Sequence, residues 1–196
     1  GTKMSISSPK PDKKYTYADY LSWPSEERWE IINGVPSLMS PAPLTEHQRI
    51  LGELFVPLAL YFKDKKCRVF PAPFDVRLPK GDEKDEEISS VVQPDIVVVC
   101  DPNKLDERGC KGAPDLVVEI LSSSTAKKDL NEKFNLYEQS KIRQYWVVFP
   151  KFQVIDIYSL DESGQYEKTK SFSSGEQISS ELFPGLEIDL DAIFSE

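Results

Sequence analysis

The sequence predicts an α/β chain in which a central mixed β-sheet is flanked by helices and preceded by a hairpin. Three observations carry that expectation. Two short runs, VVQPDIVVVC at 91–100 and APDLVVEIL at 113–121, are rich in valine and isoleucine, as strands buried on both faces tend to be. A helical pattern and then QYWVVF at 144–149 follow, and strand, helix, strand at this length is a crossover that leaves its two strands parallel. WEIINGVPSLM at 29–39 sets Asn33-Gly34 between two apolar runs, the strongest short-range hairpin signal.

Residues 1–14 are polar, contain Pro9 and Pro11 and lack apolar periodicity, so a disordered tail is expected ahead of a single domain over 15–196. The segment 16–22 suggests a short helix. Thr45-Glu46-His47-Gln48 matches a capping box, and Ile50, Leu54, Leu58 and Phe62 recur behind it at helical spacing. The prediction is a helix of about 18 residues, bent near Pro57. CRVFPAPFDVRL at 67–78 is broken by two prolines that cannot donate to a ladder, which favours an edge or bulged strand. After an acidic loop, GDEKDEE at 81–87, come the two valine-rich runs that form the centre of the sheet. Ser122, Ser123, Ser124 and Thr125 can each cap a helix over about 126–140, whose apolar stripe is Leu130, Phe134 and Tyr137. VIDIYSL and QYEKTKSF then read as a hairpin around 161–164, and a short helix at about 189–194 ends the domain.

At 196 residues and 39 % hydrophobic, the chain can bury one core, and nothing in its length demands a second domain. No run approaches the ~18 apolar residues of a membrane span, and the N-terminal lysines have no apolar stretch behind them. A soluble, unexported protein without membrane contact is expected. Cys67, Cys100 and Cys110 are odd in number and widely spaced, and there is one histidine. Neither a disulfide framework nor a Cys/His zinc site is expected, and the setting would be a reducing cytoplasm. The net charge of −9 counts against a tight nonspecific DNA binder, so any DNA-facing surface must be a local basic patch.

Glu119 stands inside LVVEIL, a run that otherwise asks for burial. A lone carboxylate there would cost several kcal/mol, so it must be protonated, paired with a cation or bound to a metal. Asp95 poses the same problem at the start of IVVV on the neighbouring strand. Carboxylates on adjacent strands can lie ~5 Å apart, close enough to share a hard cation such as Mg²⁺. The alternative is a pair of strand-end acids that cap loops or meet lysines. Asp115 shares Glu119's face of one strand, but four residues of strand span roughly 13 Å, too far for two carboxylates to hold one ion.

Pro94-Asp95, then a loop and a second strand bearing Glu119, resembles the PD-(D/E)xK nuclease superfamily. More closely, WEIINGVPSLMSPAP, His47-Gln48, QPDIVVV, APDLVVEILSSST, Asp129-x-x-x-Lys133 and QYWVV resemble the small stand-alone putative restriction endonuclease family, over roughly 16–190. The resemblance implies a restriction-endonuclease-like core, a homodimer, and Mg²⁺- or Mn²⁺-dependent cleavage of DNA. Asp95 and Glu119 would hold the metal, with the main-chain carbonyl of Ile120.

At one position the chain departs from the superfamily, because Leu121 stands where a lysine two residues after the acid is expected. The chemistry wants a cation there to acidify water or meet charge developing on the phosphate. At ~100° per residue Lys133 falls about 60° from the apolar stripe and can lean toward the sheet, whereas Lys128 lies nearly opposite and should face water. Otherwise Lys133 is an exposed ion pair with Asp129 at i, i+4. Lys128, beside the expected site, is a candidate substrate contact, although such lysines usually form a solvated face. Glu30 occupies the place of the family's acid before its first hairpin, where it would ligate a second ion or orient water; one more surface acid is the alternative. His47, in the first turn of the long helix, can contact a phosphate or be an ordinary neutral histidine near a helix start. Gln93, two residues before Asp95 and on the same face of its strand, is a candidate substrate contact.

The expected activity is therefore metal-dependent endonucleolytic hydrolysis of DNA, with Asp95, Glu119, Lys133 and Glu30 as catalytic residues. A non-catalytic binding or scaffold module, favoured by Leu121 and the acidic balance, and a hydrolase of smaller phosphoesters are the alternatives.

Overall fold

Two six-stranded mixed sheets share the chain in the computed structural model, which describes residues 8–39 and 42–196. The expected tail lies outside the described residues over 1–7, and 8–14 carry no helix or strand. Helix α1 (Tyr17–Ser22) leads into the hairpin β1 (Trp29–Ile32) and β2 (Val35–Leu38). At its turn Asn33 and Gly34 take φ of 48° and 82°, the left-handed pair that a tight hairpin needs and that these two residue types tolerate. There follow α2 (Thr45–Phe62), β3 (Arg68–Pro71), β4 (Val76–Arg77), β5 (Val91–Val92), β6 (Ile96–Val99), β7 (Leu105–Asp106) and β8 (Gly109–Lys111). Then come β9 (Leu116–Ile120), α3 (Ala126–Leu130), α4 (Glu132–Gln139), β10 (Gln144–Phe149), β11 (Val154–Leu160) and β12 (Tyr166–Phe172). The small pair β13 (Gln177–Ile178) and β14 (Ile188–Asp189) and helix α5 (Leu190–Phe194) close the chain.

The first sheet runs β2-β1-β5-β4-β8-β7 and the second β12-β11-β10-β9-β6-β3. In the second, β9 and β10 are parallel, as the crossover pattern requires, and β6 lies antiparallel to β9 with Ile96 opposite Val118. Both faces of this sheet are covered. Ile50, Leu54, Leu58 and Phe62 of α2 pack with Ile96, Val98, Leu116 and Val118 on one side. Val97, Val99, Val117 and Val147 meet Leu136 and Tyr137 of α4 on the other. That two-sided burial is why these strands read as near-continuous apolar runs.

Each of two segments expected as one strand is divided between the sheets. Residues 67–78 give β3 to the second sheet and β4 to the first, and 91–100 give β5 to the first and β6 to the second. Pro73 and Pro94 sit in the two crossings, where the missing N–H would break a ladder anyway. Asp95 is left immediately ahead of β6, where the sheets meet.

Three further expectations need correction. Helix α2 begins at Thr45 itself with Leu44 in the capping position and no side-chain cap, so Thr45 to Gln48 is not a capping box. The helix over 126–140 breaks at Asn131 (φ −121°, ψ −77°), and its buried face is not the expected stripe: Leu130 is 38 % exposed while Asp129 and Lys133 are buried. Cys67 and Cys100, against expectation, form a disulfide one step beyond the facing pair Arg68 and Val99. Linear spacing carried no sign of that register. Among the described residues no helix is long and apolar enough to cross a membrane.

Candidate functional site

Asp95 and Glu119 meet across the end of the β6/β9 ladder, each accepting a hydrogen bond from the other's strand. The Asp95 N–H donates to Glu119 Oε1 at 3.2 Å, and the Ile120 N–H donates to Asp95 Oδ2 at 2.7 Å. Asp115, four residues down the same strand, accepts from the Cys100 N–H at 2.8 Å and takes no part, as the strand rise predicts. Leu121 is buried in the apolar layer of α4 and leaves the lysine position empty of charge.

Lys133 supplies the cation instead. Its Nζ lies 2.7 Å from Glu119 Oε2, 2.9 Å from Glu30 Oε2 and 3.7 Å from Asp129 Oδ1, and the side chain is 5 % exposed. The pair with Asp129 therefore exists but is buried, unlike the exposed pair that helix spacing allowed. Glu30 is buried on β1, a strand of the other sheet, and also accepts from the Gln93 N–H at 2.8 Å. It is part of the cluster, not a surface acid. Tyr137, read from the sequence only as apolar stripe, donates its hydroxyl to Glu119 Oε2 at 2.9 Å. A signal for it existed: Asp129, Lys133 and Tyr137 are spaced by four, and a buried tyrosine hydroxyl needs a partner.

His47 reaches the same place from the first turn of α2, with Nε2 3.3 Å from Asp95 Oδ1 and Nδ1 2.9 Å from Gln48 Oε1. Lys128 departs from expectation. Rather than facing water it turns inward, to Glu30 Oε1 at 3.4 Å and to the Ser37 hydroxyl, because Leu130, nearly opposite it around α3, is the residue turned outward. Gln93 also departs, since it lies in the crossing between sheets and not on β6. Only its main chain touches the cluster, while its side chain bonds Arg28, Tyr20 and Asp75.

Three carboxylates (Glu30, Glu119 and Asp129) thus face the buried Lys133, Glu30 also meets the partly exposed Lys128, and Asp95 meets His47. Burial works to raise Glu30, but the charges of Lys133 and Lys128 and the Gln93 amide outweigh it and hold that carboxyl below its ordinary value. Burial pushes Glu119 up to about 8, with Asp129, Asp95 and Glu30 adding to the rise and Lys133 opposing it. Asp129 rises to about 6 for the same first reason, again opposed by Lys133. Burial disfavours charge on Lys133, yet the surrounding acids hold its pKa well above the ordinary lysine value. Burial likewise opposes protonation of His47, and the contact with Asp95 overcomes it.

The cluster is short of positive charge, and its donors suit a hard cation. Leu121 N–H bonds to Val148 on β10, so strand alternation turns the Ile120 N–H and carbonyl the other way, toward Asp95. Two carboxylates and a carbonyl are the oxygen donors that Mg²⁺ or Mn²⁺ takes, with water completing the shell. Among the described residues no three His, Cys, Asp or Glu side chains form a metal cage, so main-chain oxygen and water would be needed.

A family model, Uma2, "Putative restriction endonuclease", matches residues 17–191. The uncharacterized protein slr1290 of Synechocystis sp. is 35 % identical over 74 residues, 37 % of this chain and 39 % of that protein. The uncharacterized protein sll1609 of the same organism is 29 % identical over 143 residues, 69 % of this chain and 75 % of its own. The chain thus spans well under half of the first relative. The crystal structure of a putative nuclease belonging to DUF820 from Anabaena variabilis superposes with a TM-score of 0.71 at 20 % identity, covering 91 % of this chain and 97 % of that one. At that identity the likeness is one of fold: mixed sheets flanked by helices.

Proposed function

As the chain belongs to the Uma2 family, we propose that it is a divalent-metal-dependent endonuclease hydrolysing DNA phosphodiester bonds. The observation that carries this reading is the convergence of Asp95, Glu119 and Lys133 at one end of the β6/β9 ladder. Asp95, Glu119 and the Ile120 carbonyl would hold Mg²⁺ or Mn²⁺. When bound, such an ion supplies Lewis acidity to a phosphate and acidifies water.

The chain's own residues do the rest. Lys133 and Tyr137 both hold Glu119 Oε2, which leaves Oε1 on the Asp95 side. The Lys133 ammonium adds fixed positive charge where an attacking water would lose its proton, and Glu30 orients that ammonium from the other sheet. His47 sits at the mouth of the site with Nε2 on Asp95, placed to give an N–H to a phosphate oxygen. Lys128 would meet substrate by exchanging its contact with Glu30. With a net charge of −9, DNA affinity would rest on this local set and be strongly weakened by salt. A homodimer is part of the same reading, and sedimentation would show it.

The test is plasmid nicking or degradation with added Mg²⁺ or Mn²⁺, which Asp95→Asn and Glu119→Gln should each abolish. Undiminished cleavage by those variants would sink the proposal. One observation favours a second reading, a binding or scaffold module: all of Lys133's near neighbours are acids that already engage it, and Leu121 offers no replacement. Calorimetry with Mn²⁺ separates the two, because a scaffold would give no heat that depends on Asp95. Turnover of a small chromogenic phosphodiester without cleavage of plasmid would instead assign the site to smaller phosphoesters.

A further inference from the structure

A cleft of about 630 Å³ opens beside the acid cluster, between the segment that joins α1 to β1 and the loops at 73–75 and 106–109. Its floor is polar and ordered. Gln93, 7 % exposed, accepts from Arg28 Nε at 2.9 Å and donates to the Tyr20 hydroxyl at 2.8 Å and to Asp75 Oδ1 at 2.9 Å. The Tyr20 hydroxyl in turn donates to Asp75 Oδ1 at 2.7 Å. These bonds leave a particular set of groups open: among the described residues, Asp75 Oδ2 and the two terminal nitrogens of Arg28 have no partner. The cleft lining therefore carries a guanidinium fork and a carboxylate acceptor joined through the Gln93 amide, with Tyr20 and Phe74 also in its walls.

Charge decides against a phosphate in this cleft. Its walls carry the acids Glu26, Glu27, Asp75, Asp106 and Glu107 against Arg28 and Arg108, so an anion would be repelled and a flat neutral group accepted. A fork beside an acceptor asks for two adjacent acceptors next to a donor. Guanine offers N7 and O6 followed by N1–H, and cytosine O2 and N3 followed by the amino group; adenine and thymine alternate and cannot engage both arms of the fork. Of the two, guanine covers more of the flanking rings.

We propose that this cleft is a base-recognition subsite that receives an unpaired guanine of the nucleic-acid substrate on Arg28 and Asp75. The assignment to substrate rests on the nuclease reading above. Its position suits that role, since Gln93 forms the floor with its side chain and holds Glu30 of the acid cluster with its main-chain N–H. A bound base would thus press on Gln93, which belongs to both subsite and cluster.

The experiment is titration of the metal-free full chain with guanosine, adenosine and cytidine, followed through the fluorescence of Trp23 and Trp29 in the cleft wall and through amide NMR shifts. Guanosine should bind most tightly and adenosine about tenfold more weakly. Asp75→Asn, which keeps the Oδ1 acceptor for Tyr20 and Gln93, and Arg28→Gln should each weaken guanosine binding about tenfold with unchanged circular dichroism. Equal affinity for the three nucleosides, or guanosine binding that survives both substitutions, overturns the proposal. The two readings fail separately: guanosine binding without cleavage of any nucleic acid keeps the base site and removes the nuclease, whereas cleavage without guanosine binding does the reverse.

Discussion

Lys133 is the charge that three buried acids share. Its ammonium stands within 4 Å of carboxylates from β1, β9 and α3, and among the described residues no other cation is as deeply placed beside them. Lys133→Met would leave three buried acids to repel one another, and breaking a buried pair of this kind costs about 3–5 kcal/mol. Urea unfolding should show that loss, together with loss of metal-dependent cleavage. Tyr137→Phe is the milder probe. It removes one hydrogen bond from Glu119 Oε2, so stability should fall by only about 1 kcal/mol while Mn²⁺ binding weakens and cleavage drops. If metal affinity and turnover are unchanged in that variant, the hydroxyl has no share in placing Glu119.

At the scale of elements, the break at Asn131 and the two sheet crossings place most of the polar groups. Asp129, Lys133 and Tyr137, spaced by four, share the inward face of the crossover helices on both sides of Asn131, while Leu130 is shed to the surface. The turn joining β7 to β8 shows how tightly an element can be seated. Gly109 has φ of 132°, and a Cβ built on it would lie 2.3 Å from the Asp75 carbonyl oxygen, a backbone atom that cannot step aside alone. Gly109→Ala should therefore lower stability by of order 1–3 kcal/mol and shift Asp75. The expected pattern is a lower melting temperature and weaker guanosine binding with Mn²⁺ binding unchanged. Loss of metal binding in that variant would mean that the cleft and the acid cluster do not move independently.

For the whole molecule, the disulfide and the meeting of the two sheets matter most. Cys67 and Cys100 are 33 residues apart and tie the edge strand β3 to β6, the strand that follows Asp95. Closing a loop of that length removes unfolded-state entropy worth about 3–4 kcal/mol. Reductant should thus lower the melting temperature of the wild-type chain and leave that of a Cys67→Ser, Cys100→Ser double variant unmoved. A wild-type melt indifferent to reductant would show that the crosslink contributes nothing to stability.

Much of this was legible locally. Hairpin, long helix, central strands and parallel crossover all follow from turn chemistry and periodicity, which are properties of neighbouring residues. Glu119 and Asp95 announced themselves as acids inside apolar runs, and strand rise alone set Asp115 aside. Lys133 could be weighed from helix phase, although the break at Asn131 carried no sign in composition and Lys128 was turned the wrong way.

What the sequence by itself determined, then, was the hairpin, the long helix, the central apolar strands and their parallel crossover, and the two acids set among those strands. Only the tertiary structure decided that 91–100 is two strands in two sheets, that Glu30 reaches Lys133, that Gln93 turns its side chain into a separate cleft, and that Cys67 finds Cys100. The physical reason is distance along the chain. Glu30 meets Gln93 across 63 residues and Lys128 across 98, and such contacts are fixed by how sheets stack, not by any period a short stretch of residues can carry.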